Sequence, residues 1–69
     1  MNWKDVESSN VARVGYDEQT YTLGVEFHGG EVYHYYEVPK SLFDKLCKAK
    51  SVGGFLNKEI KGQYRYAKQ

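Results

Sequence analysis

Alternating apolar and polar positions predict strands in the first half of the chain. The clearest run is residues 20–27, where every second side chain is apolar: Tyr21, Leu23, Val25 and Phe27. This period of two is typical of a half-buried β-strand. Residues 11–16 and 31–36 show a similar pattern, so we predict three strands. Because short turns connect them, an antiparallel meander is the most economical topology.

The register of the second hairpin depends on its loop at Gly29 and Gly30, which can adopt the positive φ angles of a tight turn. A two-residue loop places Val32 on the core face and directs Tyr33 and Tyr35 outward. A three-residue loop with Gly30 in a bulge shifts the pairing by one residue and reverses the two faces. The sequence is compatible with both registers, so the tyrosine pair is expected either on the outer face or in the core.

Pro39 marks the change from strand to helix, because proline is favoured in the first helical turn. Apolar side chains then recur at helical spacing at Leu42, Phe43, Leu46 and Cys47. Such a stripe is typical of a helix that packs one face on a core. We expect Ser51 to be the N-cap of a second short helix that ends at Gly62. The apolar residues of that second helix are Phe55, Leu56 and Ile60.

Together these elements predict an α+β domain, in which two short helices pack on a three-stranded antiparallel meander. Residues 63–66 alternate again and form either a short fourth strand or an extended tail. We expect residues 1–10 to be an N-terminal lead-in, with Trp3 or Val6 docked on the core, and residues 11–69 to be a single domain. A domain this small depends strongly on its large aromatic side chains for a core.

Charge is distributed unevenly along the 69 residues. Residues 1–37 carry a net charge of −5, whereas residues 38–69 carry +6. This asymmetry indicates a basic surface that suits an anionic partner, although a lysine-rich, solvated helix face produces the same pattern.

Aromatic and basic residues alternate in two segments. Residues 33–36 read Tyr-His-Tyr-Tyr, and residues 58–68 interleave lysine and arginine with Tyr64 and Tyr66. Cations bind phosphates and tyrosine rings stack on unpaired bases, so this mixture suits single-stranded nucleic acid. Packing of the tyrosines on the core, with the cations solvated, is the competing interpretation. The candidate nucleic-acid-binding residues are Tyr33, Tyr35, Lys45, Lys48, Lys50, Lys58, Lys61, Tyr64, Arg65, Tyr66 and Lys68.

A second phosphate-binding hypothesis concerns the start of the second helix. Gly53 and Gly54 leave backbone N–H groups uncovered there, next to Lys48 and Lys50. Close approach of the helix to a neighbouring element is the alternative reason for two glycines. The segment lacks the Gly-Lys-Ser/Thr ending of a P-loop.

Other classes of function find little support in the sequence. The two histidines lack ligand-like spacing, so we expect no metal or other cofactor. Cys47 lies on an apolar stripe, where cysteine usually serves as a small hydrophobe, and no nucleophile motif accompanies it. A lone cysteine fits a reducing compartment, and no apolar run is long enough to cross a bilayer. We therefore expect a cytoplasmic, non-catalytic protein that does not contact a membrane.

Three blocks of the sequence resemble the KTSC domain, which is named for its occurrence at the C-terminus of some lysyl-tRNA synthetases and also occurs as small free-standing bacterial or phage proteins. The first block is residues 8–17, the second is residues 32–39 with its Tyr-x-Tyr motif, and the third is residues 55–66. Leu56 stands where the family pattern leads us to expect an aromatic residue, which weakens a stacking role there. The motif positions carried over are Tyr33, Tyr35, Asn57, Tyr64 and Tyr66.

The resemblance implies RNA binding through the association with the synthetase. Our main hypothesis is therefore a non-catalytic nucleic-acid-binding module that prefers RNA to DNA. The alternative is a module for protein interaction or homo-oligomerisation, which would use a sheet edge and exposed tyrosines.

Overall fold

Five antiparallel strands form a single sheet whose spatial order follows the chain. The computed structural model describes residues 1–69. The strands are β1 (Asn2–Asp5), β2 (Val11–Asp17), β3 (Thr22–Phe27), β4 (Val32–Tyr35) and β5 (Tyr66–Lys68). Between β4 and β5 the chain forms α1 (Lys40–Lys48) and α2 (Val52–Phe55), and α2 continues into one π-helical turn, Leu56–Ile60.

The α+β class, the antiparallel meander and the two helices are confirmed, but the predicted strand count is wrong. The additional strand β1 lies within the segment expected to be a lead-in. Trp3 is its only large apolar residue, so an edge strand of four residues with polar neighbours shows no alternation. The last strand is Tyr66–Lys68 rather than residues 63–66, because the turn after the helical segment continues past Gly62, which has a φ of 81°.

The β3–β4 hairpin has the three-residue register. Phe27 N–H donates to the Glu31 carbonyl at 2.8 Å, and Gly30 closes the loop with a φ of 92°. Tyr33 therefore lies opposite Val25, and Tyr35 lies opposite the buried Leu23. Both tyrosines consequently lie on the sheet face that the helices pack against, so the second of the two registers compatible with the sequence is the one observed.

The core lies between the inner face of the sheet and the helical segment. Tyr16 stacks on Phe43 of α1, with ring centroids 5.0 Å apart and planes 18° apart. Its hydroxyl donates to the carbonyl of Val38, which satisfies both groups in the interior. Ser51 is the N-cap of α2 as predicted, since its Oγ accepts from Gly54 N–H at 3.0 Å. The fully buried side chains are Val11, Val14, Leu23, Val25, Val38, Leu46, Leu56 and Ile60.

Trp3 packs on the outer face of the sheet, whereas Val6, the other residue expected to dock, packs against the main core. Trp3 lies over Gly15 and Gly24, where a Cβ at Gly24 would approach the indole Cη2 to 2.7 Å. Only glycine therefore fits at that strand position without displacing the indole. Arg13 covers Trp3 at 4.9 Å from the ring centroid and also pairs with Glu26 at 2.7 Å.

Candidate nucleic-acid interface

A groove opens on the inner face of the sheet at its C-terminal strands. Its volume is about 580 Å³, and the end of the helical segment forms its other wall. A groove of this size lies within the range that small ligands occupy. The lining residues are Phe27, Glu31, Tyr33, Tyr35, Lys61, Gly62 and Tyr66.

Strand pairing brings the three tyrosines of the lining together. Tyr66 of β5 lies directly opposite Tyr35, and Tyr33 lies two positions earlier on β4, so all three share one face. The Tyr66 ring centroid is 5.9 Å from that of Tyr33 and 5.8 Å from that of Tyr35. Tyr35 is 3% exposed, whereas Tyr66 is 60% exposed. Tyr35 therefore belongs to the core and forms the floor of the groove, where its ring is not available to stack on a base, whereas Tyr66 offers a ring to solvent.

Burial raises the pKa of the Tyr35 phenol, and its neighbours Tyr33 and Tyr66 raise it further. The floor of the groove is therefore neutral at physiological pH. A neutral phenol adds no negative charge that would repel a phosphate.

Phe27 and Lys61 form one end of the groove. The Phe27 ring meets Tyr33 edge to face, with centroids 5.7 Å apart. The Lys61 ammonium lies 5.3 Å from the Phe27 centroid, a cation–π arrangement that leaves the cation exposed to solvent. An exposed ammonium beside aromatic rings can contact a phosphate whose base stacks on those rings.

An ion pair crosses the rim of the groove beside Tyr33. Lys68 Nζ lies 3.3 Å from Glu31 Oε2, and both side chains are more than half exposed. Exposed pairs of this kind contribute only about 0–1 kcal/mol to stability. Both charges can therefore turn towards a ligand at little cost to the fold.

The structure brings together only some of the predicted site residues. Tyr33, Tyr35, Lys61 and Tyr66 line the groove, and Lys68 reaches its rim through Glu31. The exposed lysines Lys45, Lys48 and Lys58 are outside the groove lining.

Tyr64 and Arg65 line a separate hollow. The Arg65 guanidinium lies 5.6 Å from the centroid of the Tyr36 ring, and Glu37 and Gln63 complete the walls. The Arg65 cation is thus already positioned over an aromatic ring and is outside the groove lining, while Tyr64 packs against the core.

Lys50 lines a polar hollow at the start of α2, the place of the second phosphate hypothesis. A Cβ at Gly53 would be 3.5 Å from Ser8 Oγ, and one at Gly54 would be 2.9 Å from Ser51 Oγ. Gly54 is thus explained by the N-cap of its own helix and not by close approach to a neighbouring element, and the contact at Gly53 is an ordinary van der Waals distance that does not require glycine. Phosphate binding there stays a prediction.

Sequence reasoning missed Phe27 and Glu31 as groove residues. Phe27 belonged to the predicted core stripe, and Glu31 was counted only as a negative charge. The signal that could have found them is Gly30, because the bulge it permits places Glu31 opposite Phe27 at the groove.

No three His, Cys, Asp or Glu side chains converge as metal ligands, and burial raises the pKa of the Cys47 thiol, which favours its protonated form. None of the helices has the length and hydropathy to cross a bilayer. The groove itself presents aromatic faces, the Lys61 cation and the Glu31 carboxylate, with the Lys68 cation at its rim.

Residues 7–64 match the model of the KTSC domain family. The chain is 45% identical over 60 residues to a protein of Tsukamurella paurometabola, covering 87% of this chain and 90% of that protein. It is also 40% identical over 60 residues to a lysine–tRNA ligase of Nostoc punctiforme, of which it spans only 11%. The crystal structure of a KTSC domain protein from Yersinia pestis superimposes with a TM-score of 0.95 at 29% identity, covering 99% of this chain and 96% of that one.

Proposed function

The chain belongs to the KTSC domain family, and from this membership and the groove we propose that it binds single-stranded nucleic acid, RNA in preference to DNA, without transforming it. The observation that carries the proposal is the groove itself, where an exposed Tyr66 ring stands over two further tyrosines with Lys61 and Lys68 at the rim. Each base that stacks on such a ring contributes about 1–3 kcal/mol.

The relatives support RNA as the nucleic acid. A lysine–tRNA ligase acts on a tRNA by its name, and one ligase carries a segment similar to 87% of this chain. Since that segment is 11% of the ligase, it serves as an appended module in the proposal, with no catalytic step of its own. We place the activity in the cytoplasm, where a lone Cys47 stays reduced.

Salt dependence separates a phosphate contact from a purely aromatic one. Titration with a mixed-sequence single-stranded RNA should show affinity that falls steeply with salt, because bound phosphates release their counterions. Lys61→Ala should reduce the slope of log K against log salt by about 0.7, the value for one contact to a single strand. The control is Lys4→Ala, which removes the same charge from β1, at the opposite edge of the sheet from β5. Absence of RNA binding at low salt would refute the proposal, and equal effects of the two substitutions would refute the contact at Lys61.

The sheet edges support a second candidate, a protein-interaction or self-association module. β1 and β5 are the outer strands, so each leaves one row of backbone groups available for pairing. β5 has only three residues, which limits the edge it offers. Size-exclusion chromatography with light scattering tests self-association. A salt-insensitive monomer at high concentration would reject it, whereas a dimer that no longer binds RNA would favour it over nucleic-acid binding.

A further inference from the structure

Glu31 is the only carboxylate that lines the groove. A negative charge repels phosphates, so affinity for the nucleic-acid backbone does not explain the presence of Glu31 in the groove. An ionised carboxylate is purely a hydrogen-bond acceptor and can accept from two neighbouring N–H groups at once. It therefore suits the edge of a base that carries two adjacent donors.

The ion pair on the rim supplies a donor beside this acceptor. The Lys68 ammonium lies 3.3 Å from Glu31 Oε2, so the two groups present an acceptor and a donor side by side next to Tyr33. Since Lys68 and Glu31 are 57% and 54% exposed, water can compete with their mutual contact. A ligand edge that bonds to both groups together replaces their mutual contact and leaves neither group without a hydrogen-bond partner.

Among the RNA bases, guanine best complements this arrangement. Its Watson–Crick edge carries two adjacent N–H donors, at N1 and N2, next to the O6 acceptor. The carboxylate can accept from both donors while the ammonium donates to O6, which makes three hydrogen bonds. Adenine, cytosine and uracil each offer one donor position to the carboxylate and one acceptor to the ammonium, which makes two.

From this complementarity we infer that the groove selects an unpaired guanine, whose ring stacks on the exposed Tyr66 while Glu31 and Lys68 read its Watson–Crick edge. This inference rests on the proposed binding of single-stranded nucleic acid. A guanine in a duplex is excluded, because its Watson–Crick edge is already paired. Glu31 therefore determines specificity, and the tyrosines and Lys61 provide affinity.

The test compares a labelled oligouridine with the same strand carrying one central guanine, adenine or cytosine, by fluorescence polarisation. The strand with guanine should bind roughly tenfold more tightly than the others, the effect of one additional hydrogen bond to a charged group. Glu31→Gln should abolish this preference, because a carboxamide offers one acceptor oxygen where the carboxylate offers two. The matched control is Glu18→Gln, which removes an exposed carboxylate from the β2–β3 turn and should leave the preference intact.

The outcomes separate the two proposals. Equal binding of all four strands, or a guanine preference that survives Glu31→Gln, would overturn the guanine inference while nucleic-acid binding stands. Failure of every strand to bind the unmodified protein would overturn both. Circular dichroism of each variant verifies that a lost preference does not reflect a lost fold.

Discussion

Two regions of the same sheet face use tyrosine in opposite ways. On β2, Tyr16 is 6% exposed, stacks on Phe43 of α1 and donates its hydroxyl to the Val38 carbonyl. On β5, Tyr66 is 60% exposed and contacts only the two tyrosine rings of β4 among the aromatic residues. Both side chains lie on the inner face, because they belong to one row of directly opposed residues across the strands. The row runs Tyr16, Leu23, Tyr35, Tyr66.

The two regions differ in whether the helical segment covers them. We call the β2–β3 part of the inner face the covered region and the β4–β5 part the open region. Residues of α1 and the π-helical turn bury the row at β2 and β3, where Leu46 and Ile60 are fully buried. At β4 and β5 the opposite wall of the groove is formed only by Lys61 and Gly62, which follow the helical segment. Residue type and sheet face therefore do not distinguish a core tyrosine from a tyrosine available to a ligand. Coverage by the helices makes that distinction.

The largest expected effect is on stability in the covered region. Leu46→Ala removes a fully buried side chain from α1 and should lower the free energy of unfolding by about 2–5 kcal/mol. That is a large share of the stability of a small domain. Tyr66→Ala, in the open region, should change it by only about 0.5 kcal/mol. Urea unfolding measures both, and similar losses for the two variants would show that the open region is structural after all.

Tyr16→Phe tests the buried hydroxyl of the covered region. It keeps the ring stack on Phe43 but leaves the Val38 carbonyl without its partner, so we expect a loss of about 1–3 kcal/mol. Tyr21→Phe is the control, because Tyr21 is 57% exposed and no hydrogen bond involves its hydroxyl. Equal unfolding midpoints for the two variants would mean that the Tyr16 hydroxyl adds nothing to stability.

Tyr66→Ala tests the open region by binding rather than by stability. Loss of one stacking ring should weaken binding of single-stranded RNA by about 1–3 kcal/mol, measured by calorimetry. Tyr66→Phe should retain most of the affinity, because the ring face remains. Tyr21→Ala removes a tyrosine of similar exposure outside the groove and should leave the affinity unchanged. Comparable losses for Tyr21→Ala and Tyr66→Ala would indicate that binding does not depend on the groove.

Alkaline pH should act on the buried phenols of both regions. Burial is the main cause of the raised pKa of Tyr16 and of Tyr35, so the folded state favours their neutral forms. A raised folded pKa means that this stabilisation is complete below the ordinary value of 10.0 and is lost as the pH rises through the folded values. Unfolding midpoints should therefore decline above about pH 10, and less so in Tyr35→Phe. A constant midpoint across that range would contradict the raised values.

The comparison also shows what the sequence could predict. Local sequence patterns were sufficient to predict four elements, β2, β3, β4 and α1. The immediate neighbours of Ser51 were likewise sufficient to identify it as the N-cap of α2. β1 was missed because a polar edge strand is stabilised by pairing with β2, a contact that no local period reveals. Local patterns thus predict the class of the fold better than the extent of its sheet.

The candidate site was predictable only in part, for a related reason. Tyr66 and Lys61 were named from their mixture of charge and aromaticity, but their convergence with Tyr33 depends on the register at Gly30. Lysines on α1 could not be separated from those at the groove, because the position of a helix relative to a sheet edge is a tertiary property. Glu31 was missed because its role depends on its contact with Lys68, a residue distant in the sequence that only the fold brings close.

The central claim is that the open region binds nucleic acid, and an NMR titration with a short single-stranded RNA tests it most directly. The backbone amide chemical shifts of Tyr33, Lys61 and Tyr66 should change, while those of Tyr16 on β2 and Leu46 on α1 stay the same. Shifts confined to α1 or to the outer face around Trp3, or no shifts at low salt, would contradict it.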